Sequence, residues 1–272
     1  MYFVTSAILA VVAIGTTSIA HAANVDTSLR ADLERIAQRR IFFGHQSVGI
    51  NLLDGIAQLS KAAGVPVRIA EVSTASATPP ATIGHAFVAE NRDPLRKLKS
   101  FEQAMGSQPS KLDIAFVKLC YIDFGTETNV KELFTRYQAT LEKLHAQNPG
   151  TTFVHVTAAL TTVESGFKIR LKQLLGKAPP GTAENLRREE YNTLLRQTYQ
   201  GKQPIFDLAR VESTAPDGKS ETVKLNGIAV PVLVPGYSDD GGHLNDSGKL
   251  RAARELISVL AAIPDRPAVR LH

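Results

Sequence analysis

The feature that most constrains the fold is an alternation. Short runs rich in Val, Ile and Phe recur along the chain: "RIFFG" (40–44), "VPVRIAEV" (65–72), "DIAFVKLCY" (113–121), "TTFVHVTAAL" (151–160) and "PIFDLARV" (204–211). Most are nearly continuously apolar, as strands buried on both faces are. Between them the apolar spacing lengthens to that of helices, over 48–63, 93–105, 131–146, 182–199 and 247–262. Strands alternating with helices predict an α/β fold, a parallel sheet with helices on both sides. Two stretches break the rhythm. Residues 73–91 read as a long irregular segment. Residues 213–234 carry the turn signals Pro216-Asp217-Gly218 and Asn226-Gly227, which predict a small β-hairpin before the last helix. In open sheets of this class the ligand crevice lies at the carboxyl ends of the strands. The loops to search therefore start at Gly44, Val72, Tyr121, Ala159 and Val211, together with 236–245.

The first 22 residues carry no Lys, Arg, Asp or Glu, and they end in Ala20-His21-Ala22. That ending fits a signal peptide cleaved before Ala23, which leaves 23–272 as a single α/β domain, periplasmic or secreted. The apolar run at 7–14 is shorter than the ~20 residues a membrane span needs, so no stable membrane insertion is expected. Cys120 is the only cysteine, which excludes an internal disulfide framework and a cysteine-based metal site. The net charge is +5, but Lys and Arg are scattered without aromatic interleaving, so nucleic acid is not an expected partner. The chain has no Trp, which weighs against a dedicated sugar-stacking module. Nothing in it fixes an oligomeric state.

Two places carry chemistry. Ser47 follows the first apolar run and begins a helical pattern, so its hydroxyl would project into the crevice beside free backbone N–H groups. It serves equally well there as a helix cap, and Gly44 would permit the tight turn. In "PGYSDDGGHLNDSGK", Asp240 and His243 are three apart in a Gly-rich loop before an amphipathic helix. An aspartate that accepts from one ring nitrogen fixes the tautomer and leaves the other nitrogen to take a proton from serine. Asp, Asn, Gly and Ser are also simply turn residues, and spacing alone does not decide between these roles.

Asp240-x-x-His243, followed by Leu244-Asn245-x-x-Gly248 and a final helix, resembles the last block of the SGNH, or GDSL-type, hydrolase superfamily. The first block of that family places a serine on the turn after the first strand. The resemblance implies a three-layer α/β/α sandwich with a flavodoxin-like parallel sheet. It also implies that Ser47 is the nucleophile, His243 the general base and Asp240 its orienting partner. Two departures mark a divergent branch. Gly44-His45-Gln46-Ser47 is one residue longer than the usual Gly-Asp-Ser. Cys120-Tyr121-Ile122-Asp123 stands for the usual Gly-x-Asn-Asp, so Ile122 replaces the oxyanion asparagine. The candidate oxyanion donors are Ser47, Gly84 in "TIGHAF", Tyr121 and Asn91.

The expectation is an exported serine ester hydrolase that removes short acyl groups, acetyl above all, from a polysaccharide or other carbohydrate ester. It needs no cofactor and no metal. The alternatives are a non-catalytic glycan-binding protein on the same scaffold and a lipid or aryl esterase. His45, Gln46 and His85 are candidate substrate contacts, with a buttress for the turn as the other role open to His45. A metal site built from His45, His85 and His155 lacks ligand spacing in every pair, and His155 reads as a satisfied core histidine. Lys118, inside an apolar run, is expected to reach the strand end or to meet a carboxylate such as Asp123. Cys120 reads as a small core residue. "NLRREEYNTLLRQTY" reads as an exposed helix with its own salt bridges, Tyr191 and Leu195 facing the sheet.

Overall fold

A computed structural model describes residues 27–107, 109–164 and 178–265. The leader read over 1–22 lies outside the described residues. After helix α1 (27–36), the chain runs β1 (Arg40–His45), α2 (Ser47–Ala63), β2 (Ile69–Glu71), β3 (Thr82–Phe87), α3 (Pro94–Met105), β4 (Ile114–Val117) and α4 (Val130–Gln147). It continues through β5 (Thr152–Val156), α5 (Thr182–Tyr199), β6 (Ile205–Phe206), α6 (Leu208–Ser213), β7 (Thr222–Leu225), β8 (Ile228–Pro231) and α7 (Asp246–Ala262). Six strands form a parallel sheet in the order β2-β3-β1-β4-β5-β6. Without the three-residue edge strand β2, this is the flavodoxin-like order. The chain leaves β1 toward one edge, returns to β4 and proceeds toward the other. The switch point therefore lies between the carboxyl ends of β1 and β4, where ligand crevices open in this architecture.

The period-two alternation of β1 explains the two cores. Ile41 and Phe43 join the apolar layer of α1, α2 and α7, whereas Phe42 joins that of α3, α4 and α5. Gly44 sits within β1 rather than in a turn. A Cβ there would lie 2.6 Å from the Phe101 ring of α3, so packing demands the glycine. Gly55 has the same role between α2 and α7: its Cβ would meet the Lys249 carbonyl at 2.5 Å. The close approach matters because α2 begins at Ser47 and α7 follows the Asp240–His243 loop.

Several expectations change. The segment read as irregular at 73–91 contains strand β3, which pairs with both β2 and β1. "PIFDLARV" gives only two strand residues, because the Asp207 side chain accepts from the Arg210 N–H and starts α6. "VPVRIAEV" forms strand only at Ile69–Glu71. The hairpin β7–β8 is present, closed by Asn226 and Gly227 at φ 50° and 83°, the left-handed pair that an Asn-Gly hairpin turn requires.

Candidate active site

Ser47 is the first residue of α2, and Gln46 precedes it in extended conformation. The N–H groups of a helix's first turn have no intrahelical acceptor and face the crevice with the positive end of the helix dipole. The Asp240–His243 loop reaches the same point from the other end of the chain. Ser47 Oγ lies 2.9 Å from His243 Nε2, and His243 Nδ1 lies 2.6 Å from Asp240 Oδ2. Asp240 Oδ1 also accepts from the N–H groups of Gly242 and His243, at 2.9 and 2.8 Å. The hydrogen bond from His243, then that from the Gly242 N–H, hold this carboxyl well below the usual carboxylate range. A charged Asp240 makes Nδ1 the protonated ring nitrogen, so the bare Nε2 accepts from the serine hydroxyl. The His243 and Asp240 side chains are 40% and 57% exposed, so the site opens on the rim of the crevice.

The loop is held from three sides. Asn51, one turn after Ser47 on α2, accepts from the Leu244 N–H at 3.0 Å. Gly241, at φ 89°, gives its carbonyl to the Thr162 N–H at 2.9 Å. Tyr121 packs edge-on against His243, ring centroids 5.8 Å apart, and a Cβ on Gly242 would collide with the Tyr121 ring at 2.6 Å. The glycines of "DDGGH" therefore serve backbone conformation and close packing.

Helix α5 supports this arrangement from within the fold rather than standing as an exposed helix. Tyr191 and Leu195 are buried as expected, but so are Asn185, Arg188 and Asn192. Asn192 accepts from the Ala158 N–H at 2.7 Å and donates to the Ala158 carbonyl at 3.1 Å. Asn185 does the same at Thr161, with distances of 3.1 and 2.8 Å. The two amides, two turns apart, substitute for a missing strand partner beyond β5. Arg188 donates to the Tyr121 carbonyl at 3.0 Å and to Thr161 Oγ1 at 2.9 Å.

The remaining candidates divide. Gly84 lies inside β3 between Phe42 and Ala70, its Cα against Thr78, so it is part of the sheet and not an oxyanion donor. His45 is fully buried and His85 nearly so; they meet each other at 3.0 Å and do not offer substrate contacts. The Gln46 amide donates to the carbonyls of Val88 and Ala89, which ties the loop after β3 to the residue before Ser47. Asn91, in that same loop, accepts from Lys97 Nζ at 2.8 Å. Asp123 is the partner of Lys97, at 2.7 Å with both side chains fully buried, and not of Lys118. Lys118 Nζ instead donates to the Leu119 carbonyl at 3.1 Å and lies 3.6 Å from Cys120 Sγ. His155 faces the other layer, between Tyr137 and Gln203 and stacked on Tyr199. The three histidines weighed as metal ligands therefore do not converge. Sequence reasoning missed Asn51, Lys97, Asn185 and Asn192. Of these only Asn51 carried a signal, its i, i+4 relation to Ser47.

No family model matches the chain, and no curated protein matches it. Solved structures do. One from Streptococcus pneumonia, provisionally assigned as a platelet activating factor, aligns with TM-score 0.50 and 12% identity over 92% of this chain and 100% of that one. A provisionally assigned lipolytic protein of the G-D-S-L family from Desulfitobacterium hafniense DCB-2 aligns with TM-score 0.43 and 9% identity, over 71% of this chain and 99% of that one. The acetyl xylan esterase AlAXEase aligns with TM-score 0.43 and 16% identity, over 82% and 98% of the respective chains. The first of these bears on the fold alone. With the strand order above, it supports a three-layer α/β/α sandwich around a flavodoxin-like parallel sheet.

Proposed function

We propose that the chain is a serine ester hydrolase. The observation that supports this most strongly is the continuous hydrogen-bonded path from Ser47 Oγ through His243 to Asp240, at 2.9 and 2.6 Å. Residues 196 positions apart in the chain meet in the order of nucleophile, base and orienting carboxylate. His243 Nε2 takes the Ser47 proton as Oγ attacks the ester carbonyl. The imidazolium, stabilised by Asp240, then returns that proton to the departing alkoxide. Water repeats the sequence on the acyl-enzyme and releases the acid.

The tetrahedral oxyanion is held by the Ser47 N–H at the start of α2. Asn91 supplies the second donor in place of the asparagine that Ile122 displaces. Lys97 occupies the Asn91 carbonyl oxygen, which leaves the carboxamide N–H₂ to donate elsewhere. Tyr121 forms the wall beside His243.

The substrate in this reading is a short acyl ester, acetyl first, on a carbohydrate chain, met outside the cytoplasm after cleavage near Ala22. The open rim supports a bulky alcohol portion better than a buried one. The test is acetate release from an acetylated polysaccharide and from an aryl acetate. Saturable release by the unsubstituted protein, abolished in Ser47→Ala, is the expected outcome. No release from either, with the polysaccharide still bound, would leave a glycan-binding protein. Release from the aryl or a lipid ester alone would move the substrate class.

A further inference from the structure

His45 is the histidine nearest to Ser47 in sequence, yet it is fully buried and makes no contact with His243 or Asp240 among the described interactions. Its side chain lies on the α2 face of β1, against Phe43 and Phe87 at ring-centroid distances of 4.6 and 5.2 Å. The ring fits beneath the first turn of α2 only because residue 49 is glycine: a Cβ there would fall 2.3 Å from it. A polar ring in so confined a place must spend both nitrogens on hydrogen bonds.

The partners fix its protonation. His45 Nδ1 lies 2.9 Å from the Gln46 carbonyl oxygen, which can only accept, so Nδ1 carries the proton. Burial above all lowers the ring's pKa to about 4, against the support of the Gln46 carbonyl, so the ring is neutral and Nε2 is bare. Nε2 therefore accepts from His85 Nδ1, 3.0 Å away. His85 in turn is held opposite Phe43 by the pairing of β3 with β1. The Gln46 carbonyl receives a second donor, the Gly49 N–H, at 2.7 Å.

That carbonyl belongs to the peptide unit whose N–H is Ser47's. The unit is planar and trans, so its C=O and N–H point in opposite directions. Two donors on the oxygen thus aim the Ser47 N–H away from the core and toward the crevice, and polarise it by hydrogen-bond cooperativity. We infer that His45 is a positioning residue: through the Gln46 carbonyl it aims the Ser47 N–H at the developing oxyanion, with His85 fixing its tautomer. The inference rests on the reading of Ser47 as the nucleophile. It also accounts for the extra residue between Gly44 and Ser47: His45 and Gln46 brace the peptide from below and from the side.

Two measurements test it. In the unsubstituted, ¹⁵N-labelled protein at pH 7, histidine ring shifts must show His45 as the Nδ1–H tautomer; an Nε2–H tautomer overturns the assignment without any variant. The second compares His45→Asn with His45→Gln, both checked for native fold. The asparagine amide nitrogen can occupy the Nδ1 position, whereas glutamine places its amide toward His85. On an aryl acetate, His45→Asn is expected to keep kcat close to that of the unsubstituted protein. His45→Gln is expected to lose about 10- to 100-fold in kcat at nearly constant KM, the scale of a misplaced catalytic group. Phosphonylation of Ser47 by a fluorophosphonate should slow in parallel, because the phosphonyl oxygen uses the same hole. Equal losses in the two variants, or a loss confined to KM, overturn the inference. Absence of a phosphonyl adduct in the unsubstituted protein overturns instead the nucleophile reading beneath it, and is seen before the variants are compared.

Discussion

Two histidines stand near Ser47, one along the chain and one across the fold. His45 is two residues away, sealed in the core, and bonded to a carbonyl and to another histidine. His243 is distant in sequence, 40% exposed, and bonded to a carboxylate and to the serine itself. Closeness along the chain would have favoured His45 as the base. The partners support the opposite reading. A base must offer a bare nitrogen to the hydroxyl and have an anion ready to stabilise its cation. His243 has both. His45 has its bare nitrogen turned to His85 and lies in an environment that rejects charge. The buried ring is suited to holding a geometry and the exposed one to moving a proton.

Substitutions at the two rings should differ sharply in their effects. The largest effects belong to the exposed set. Ser47→Ala or His243→Ala should lower kcat/KM for an aryl acetate by about 10⁴-fold or more, the scale on which members of such a set fail. Asp240→Asn should follow at about 10³- to 10⁴-fold, since an amide no longer enforces the tautomer. A mild His243→Ala effect beside a severe His45→Asn effect would reverse the assignment of roles. Asn51→Ala removes the acceptor of the Leu244 N–H and loosens the loop against α2. It should lower kcat about tenfold, consistent with one lost positioning hydrogen bond, while leaving the melting temperature within a few degrees.

The buried rings should show a smaller effect, on stability. Burial lowers the pKa of His45 and of His155 to about 4, against ordinary values of 6.5. The unfolded chain takes up these protons as pH falls through 6.5, and the folded chain resists until about 4. Unfolding free energy should therefore fall as pH drops through that window, by up to about 1.4 kcal/mol per pH unit for each ring. Urea titrations at intervals across the window measure the slope. His45→Asn should flatten it by one proton's share; an unchanged slope would mean that His45 is not held neutral.

Sequence pattern carried the sheet and most helices because both cores are built from periodic apolar residues. It failed at β3, where "TIGHAF" follows Pro79-Pro80 and contains a glycine and a histidine. Gly84 is required by the proximity of Thr78 and His85 by the pairing with His45, and neither demand is visible before strand neighbours are known. Asn185, Arg188 and Asn192 suggested a solvated helix face because polar residues usually make one; here the face is buried against backbone that has no strand to pair with. Ser47, Asp240 and His243 were legible as a set only through the resemblance of Asp240-x-x-His243-Leu244-Asn245 to a known last block, since spacing alone left Ser47 equally a helix cap. The support around them was not, since Asn51–Leu244, Gln46–Val88 and Lys97–Asp123 all join segments that only the fold brings together.

On this proposal the exposed histidine, and not the buried one, activates Ser47. Peptide mapping after fluorophosphonate treatment at pH 7 tests it most directly. One adduct per chain, on Ser47, is expected. It should be absent in His243→Ala and present, at close to the original rate, in His45→Asn. An adduct elsewhere on folded protein, or one that survives His243→Ala and disappears in His45→Asn, would contradict it.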